Sequence, residues 1–263
     1  MLNNLFSNQL VLGGAQAVVA IILAIIIMLV ARWSEIHMER EILVSLARGL
    51  IQVVIVGSIL MLLLNGPDWT SVIVLAGMML AAATIAARRA EGIPDAFWVS
   101  LYGISFGAGV VIVSMTFLGV IDKAITSLIP VGSMLIANCM NTSSLALDRF
   151  KGDVESHVGQ IEASLALGAD PTHAVTPYVR SAVRASLIPR IDSLRSLGIV
   201  WIPGLMSGMV LAGSDPVYAA IYQFVVIAII FASTALTALV STMLIRSKAF
   251  SQAEQLILRQ AQE

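Results

Sequence analysis

Seven stretches of this chain are apolar enough to sit in a lipid bilayer, and most reach the ~20 residues that a membrane-crossing helix needs. They cover residues 10–30, 42–64, 71–87, 96–120, 124–146, 197–212 and 217–244; the third and sixth are short, and the fifth is the least hydrophobic. Backbone amides in hydrocarbon have no water to pair with, so such runs must close their hydrogen bonds internally as helices. The expected fold is therefore all-α: a polytopic integral membrane protein of one domain spanning residues 1–263. With 58% hydrophobic and 12% charged residues, the composition excludes an ordinary soluble domain of this size. Residues 1–9 contain no Lys or Arg, so the first apolar run lacks the basic start of a signal peptide and reads as a retained span.

Positive charge sets the orientation, because loops on the cytoplasmic side collect Lys and Arg. Arg32, Arg40 and Arg48 fall at or near the first loop, and Arg88 and Arg89 in the third. Arg149, Lys151, Arg180, Arg184, Arg190 and Arg195 fall in a long insert after the fifth run, and Arg246, Lys248 and Arg259 after the last. Only Lys123 remains for the other side. The pattern predicts an outside N-terminus and an inside C-terminus, as an odd number of spans requires. Outer loops are a few residues long, so the soluble mass is the insert, about residues 148–196, and the tail, about 245–263. In the tail, Phe250, Ala253, Leu256 and Ile257 suggest a surface helix.

The insert has its own architecture. Val154, Val158, Ile161 and Leu165 recur at helical spacing, which predicts an amphipathic helix over residues 153–168. Gly168 can end it in a left-handed cap, Asp170 can cap the next helix, and Pro171 suits a first turn. The result is helix, tight turn, helix, a shape suited to a groove in another protein.

Enzyme chemistry has no visible seat. No Gly-x-x-x-x-Gly-Lys-Ser/Thr loop is present to hold ATP, and there is no Gly-x-Ser-x-Gly or His-Glu-x-x-His. His37, His157 and His173 show no metal-ligand spacing, Cys139 is the single cysteine, and a net charge of -1 gives no case for nucleic acid. Polar residues instead crowd the inner half of the fifth run, where Asn138, Cys139, Asn141, Thr142, Ser143 and Ser144 precede Asp148, and where Pro130 interrupts the start. Polar groups at membrane depth are costly unless they pair or line a wet cavity. Asn138, Asn141, Ser144 and Asp148 are thus candidates for a substrate path, the alternative being interhelical hydrogen bonding where a span ends. Cys139 and Met140 are either soft metal ligands or packing. Arg48 and Gln52 share a helix face, with Arg48 either snorkelling to the interface or linked to Asp148 or Asn141. In the sixth run Pro203, Gly204 and Gly208 make a broken segment carrying Met206 and Met209, read as close helix packing or as a gate.

The residues Glu162-Ala163-Ser164-Leu165-Ala166-Leu167-Gly168, then Leu187-Ile188-Pro189, resemble the Glu-Ala-Ala-x-x-x-Gly signature of ABC permease cytoplasmic loops, with Ser164 in place of an alanine. Joined to the 137–149 segment, to the 203–216 segment and to Arg48–Gln52, they resemble the FetB-type family of bacterial ABC permeases, whose plant relatives are linked to aluminium tolerance. The resemblance covers about residues 45–243, with departures at Met209, commonly a Gln in the family, and at Thr142, commonly a Gly. It implies a non-catalytic permease of the inner (plasma) membrane, exporting iron or another metal ion. It also implies a separate P-loop ATPase that binds the ATP and magnesium, and two permease copies paired in the membrane. Glu162, Ala163, Gly168, Asp170, Pro171 and Thr172 would form the coupling element, and Arg48, Gln52, Met206 and Met209 would join the candidate path. An ATP-independent transporter or channel, and a membrane scaffold for a cytoplasmic complex, are the competing expectations.

Overall fold

The computed structural model describes residues 9–33, 39–64, 66–90, 92–251 and 255–258, and the described residues are helices joined by turns. The chain falls into two compact units, Met1–Gly66 and Pro67–Glu263. The first holds two touching helices, α1 (Gln9–Trp33) and α2 (Glu39–Leu64). Their central windows, Val11–Val30 and Ile42–Ile59, have mean hydropathies of 2.6 and 2.1, yet their described side chains are mostly exposed, Met28 being the one that is buried. Apolar surface of that extent is uncovered by protein and suits a lipid solvent. Arg48 and Gln52 lie on α2, both exposed.

The second unit begins with α3 (Thr70–Ala87), which tightens into a 3-10 turn at Arg88–Ala90. Next comes one span, Ala96–Phe117, made of α4 (Ala96–Ile104), a π-helical turn at Ser105–Gly109 and α5 (Val110–Phe117). Then follow α6 (Ile125–Ser156), α7 (Val158–Ala166), the single turn α8 (Pro171–Ala174), α9 (Thr176–Ser196), α10 (Gly204–Leu211) and α11 (Pro216–Lys248). At 1.5 Å per residue α6 and α11 are each roughly 50 Å long. Both run the length of the unit and pack on each other, with α3 against α6 and with α4, α9 and α10 against α11.

Two apolar clusters hold these helices together. One joins Leu75 and Ala83 of α3, Ile104, Leu135 and Ile136 of α6, and Val226 and Ile230 of α11. The other lies at the end that carries the insert, where Leu147, Phe150 and Val154 of α6 meet Ile161, Val175, Ala182 and Ile245. Between them α4 and its π turn approach α11 over glycines. A Cβ at Gly107 would stand 2.6 Å from the Ser233 carbonyl oxygen, and one at Gly103 would overlap the Ser241 hydroxyl. The hydroxyls on this face of α11 are buried, and several donate within their own helix: Ser233 to Ile230 O at 3.0 Å, Thr237 to Ser233 O at 2.9 Å and Thr242 to Ala238 O at 2.7 Å. Internal donation lets polar side chains sit in an apolar core.

Several expectations change. Among the described residues five helices are both long and apolar enough to cross a membrane: Val11–Val30, Ile42–Ile59, Thr70–Ala90, Ala96–Phe117 and Pro216–Lys248. The fifth run is long enough but too polar to join them, and its helix passes through Pro130 and continues to Ser156, so the insert's first helix is an extension of α6 broken at His157. The sixth run, residues 197–212, is not one helix. Gly198 adopts φ +76°, its amide bonds back to Trp201 O at 3.0 Å, and helix resumes only at Gly204 for eight residues. A surface helix in the tail is also overturned. Beyond α11, Phe250 pairs with Leu256 as an antiparallel bridge, and Leu256 and Leu258 are buried while Ile257 between them is exposed, the alternation of extended chain; Ala253 lies outside the described residues.

Candidate functional site

The polar residues of α6 project on three sides. Cys139, Thr142 and Ser143 are buried, and the Ser143 hydroxyl meets that of Ser241 on α11 at 3.2 Å. Asn141, Ser144 and Asp148, at i, i+3 and i+7, share a stripe facing Ile85 and Arg89 at the end of α3 and line a cavity of about 380 Å³. Asn138 turns the other way, towards α9. There Arg190 Nη1 donates to Asn138 Oδ1, while Asn138 Nδ2 donates to Met134 O at 2.7 Å.

This last contact borders a cavity of about 580 Å³, walled by Met134 and Asn138 of α6, by Pro189, Arg190 and Ser193 of α9, by Trp201, and by Ile227 and Phe231 of α11. Asn138 and Ile227 stand roughly 20 Å and 17 Å along α6 and α11 from their first residues, within the ~30 Å thickness of a hydrocarbon core. The polar helix α9 reaches the cavity because its first half is anchored by Val175 and Ala182, which are fully buried, leaving the second half to run up between α6 and α11. Pro189 lacks an N–H inside that helix, and Ser193 Oγ donates to its carbonyl at 2.8 Å. After Ser196 the chain turns through Gly198, with Ile199 and Val200 86% and 83% exposed, and α10 begins beyond Pro203. The opening of α10 is held by the buried Gln223, whose Oε1 accepts from Met206 N at 3.2 Å. Met206 and Met209 are half-buried on α10 and do not line the cavity.

The structure thus separates the path candidates, placing Asn138 in one cavity and Asn141, Ser144 and Asp148 in another, with Arg48 and Gln52 on the first unit. The residues missed by sequence reasoning are Arg190 and Trp201. The signal was present in Ile188-Pro189-Arg190, a proline and a cation inside a helix, but the charges of that helix read as solvated insert.

The turn after α7 has the expected chemistry. Gly168 sits at φ +87°, Ala169 N donates to Ser164 O at 3.0 Å and Gly168 N to Leu165 O at 2.9 Å, the paired bonds of a Schellman cap. Asp170 Oδ1 accepts from Thr172 N at 2.8 Å, His173 N at 3.3 Å and the Thr172 hydroxyl, with Pro171 in the first turn. The Thr172 hydroxyl foremost, helped by the two amides, holds the Asp170 carboxyl below its ordinary range. Leu167 points out at 90% exposure, beside the exposed Ala163 and the half-buried Glu162. His157 stacks on Tyr178 at 5.0 Å, tying α7 to α9. Among the described residues no three His, Cys, Asp or Glu side chains gather as a metal site.

A bundle of apolar helices around a polar cavity and a discontinuous helical segment defines a polytopic helical membrane protein. The chain belongs to the family described as "Uncharacterised protein family (UPF0014)", whose model matches residues 15–250. It is 31% identical to the "Probable iron export permease protein FetB" of Escherichia coli (strain K12), over 92% of this chain and 93% of that protein. It is 30% identical to the "UPF0014 membrane protein YjkA" of Bacillus subtilis (strain 168), over 83% and 88%. It is 28% identical to "Protein ALUMINUM SENSITIVE 3" of Arabidopsis thaliana, over 92% and 88%. No solved structure gives a significant match.

Proposed function

We propose that the chain is the membrane-spanning, non-catalytic subunit of an ABC exporter for iron or another metal ion, driven by a separate P-loop ATPase that holds ATP and magnesium. The reading is supported first by similarity over almost the full length to a protein named as an iron export permease. The single structural observation that carries it is the mechanical link between the α7–α8 turn and the larger cavity. That turn is capped on both sides, so it is stiff, and it presents Leu167 to a partner groove. From two residues past α8, α9 runs about 31 Å and meets the cavity wall at Arg190, roughly 21 Å along, and at its last residue, Ser196.

In this mechanism the ATPase grips Glu162, Ala163, Leu167, Gly168, Asp170, Pro171 and Thr172, and its ATP-driven closure displaces the turn. Helices α9 and α6 carry the displacement to Asn138 and Arg190, changing access to the cavity, while Asn141, Ser144 and Asp148 line the approach at the insert end. ATP binding shifts the equilibrium only so far as the ATPase contacts differ between the two states. Two copies pair in the inner (plasma) membrane, N-termini outside and C-termini inside, with the cavity's discontinuous segment acting as the sixth crossing, a device known from transporters with broken helices.

The test is a mild-detergent pull-down of the tagged protein with identification of what comes along, comparing wild type with Leu167→Asp. Leu167 is so exposed that its replacement leaves the fold intact, so a P-loop ATPase retained by wild type and lost in the variant supports docking at this turn. An ATPase held equally by both removes the turn from the mechanism. Complete absence of an ATPase, with flux that follows ion gradients, replaces the reading with an ATP-independent transporter.

A further inference from the structure

The larger cavity is lined by a cation, Arg190, that no carboxylate contacts among the described residues. Its hydrogen-bond partner among them is the neutral Asn138. Its Nε is buried and without a partner. The other charged group on the wall, Asp192, is exposed and lies 3.8 Å from Arg195 rather than against Arg190. Ser193 and Ser196 spend their protons on the Pro189 and Ser193 carbonyls. A guanidinium with a buried, unpartnered Nε is expensive to keep unless something anionic meets it.

Size argues in the same direction. A cavity of about 580 Å³ is in the range of small-molecule sites and exceeds by far what a bare or singly hydrated ion fills. Its wall offers the Arg190 guanidinium for an oxyanion, an indole at Trp201, and apolar floor from Met134, Ile227 and Phe231. A divalent cation would meet repulsion and no ligand cluster among the described residues.

We infer that this cavity binds a small molecule through a carboxylate or phosphate group held by Arg190, so that any metal cargo crosses as an anionic chelate rather than as a bare cation. The second clause rests on the exporter reading; the first does not. The test uses the full chain in lipid nanodiscs without any ATPase, so its outcome is independent of the ABC assignment. Citrate, ferric citrate, inorganic phosphate and chelator-free ferrous ion are titrated into phosphatidylcholine discs, and retained lipid is analysed from discs containing an anionic lipid. The wild type is compared with Arg190→Met and Arg190→Lys. Loss of one charge-assisted contact weakens anion binding about 10- to 100-fold in Arg190→Met, with Arg190→Lys in between and helicity unchanged. Soluble anions bound in phosphatidylcholine discs identify a soluble ligand; enrichment of anionic lipid that disappears only in Arg190→Met identifies a lipid headgroup, and both uphold the anion site. Equal anion affinity in wild type and Arg190→Met, or ferrous ion binding unaffected by Arg190→Met with no anion bound by wild type, overturns it. Should Arg190→Met misfold, the same titrations on Asn138→Ala and Arg190→Lys decide, since each alters the site without removing the charge.

Discussion

The glycine seam between α4 and α11 permits a prediction in which steric cause is separated from every other effect. Replacing Gly103 by Ala puts a methyl into the Ser241 hydroxyl, while the backbone behind it, Ser241 Cα, stands at 3.5 Å, an ordinary contact distance. Overpacking of this kind costs about 1–3 kcal/mol, partly offset by the helix propensity that Ala gains over Gly, up to about 1 kcal/mol. Ser241→Gly alone loses the 3.2 Å contact with Ser143 and adds a helical glycine, about 1–2 kcal/mol in all. The double variant no longer has the obstructing hydroxyl or Cβ, so it is more stable than additivity allows by about 1–2 kcal/mol. Gly107 supplies the control. Its Cβ would still meet the Ser233 carbonyl at 2.6 Å, so Thr237→Gly gives Gly107→Ala little relief. Unfolding in mixed micelles with rising SDS, read by tryptophan fluorescence, measures all six variants. A coupling near zero for the Gly103 pair, or one of equal size for the Gly107 pair, refutes the close approach of these helices.

Phe150→Ala removes a fully buried ring from the cluster at the insert end and is expected to cost about 3–5 kcal/mol in the same unfolding assay. For Asp170 the folded carboxyl is held below its ordinary value of 3.8, so its contribution is fully present above that value and fades as pH falls through the lower folded one. Asp170→Asn lacks that contribution at neutral pH, so the amides of Thr172 and His173 should exchange faster than in wild type there, with the acid limb flattened and the two proteins converging at low pH. Leu167→Asp and Arg190→Met are the corresponding tests of docking and anion binding.

What was legible in the sequence is what local chemistry decides. Gly168, Asp170 and Pro171 specify their turn within six residues, and the structure has the same caps. The apolar runs at either end of the chain became α1, α2 and α11 because nothing inside them competes with helix. Residues 197–212 failed because hydropathy counts side chains and is blind to backbone: Gly198 and Pro203 stop the helix that the apolar residues invite. The helix that packs in its place, α9, is polar enough to look like soluble insert, and only its tertiary partners α6 and α11 show where its second half goes. For the site, the crowding of polar residues on α6 was visible, but their division into separate faces depended on neighbours distant in sequence, Arg190 for Asn138 and Arg89 for Asp148.

The hydroxyls of α11 have one more consequence. Ser233, Thr234, Thr237 and Thr242 all donate to carbonyls within their own helix, so their bonds do not depend on where the facing glycines stand. Along the seam this pair is joined by shape, and its polar tie is an exposed ion pair at one end, where Lys248 Nζ donates to Asp95 Oδ2 at 2.6 Å, so a shear along the axis costs little beyond that surface contact, and the π turn at Ser105–Gly109 gives α4–α5 a place to take up the slack. The tightest contact in the second unit is thereby also one of its cheapest to slide.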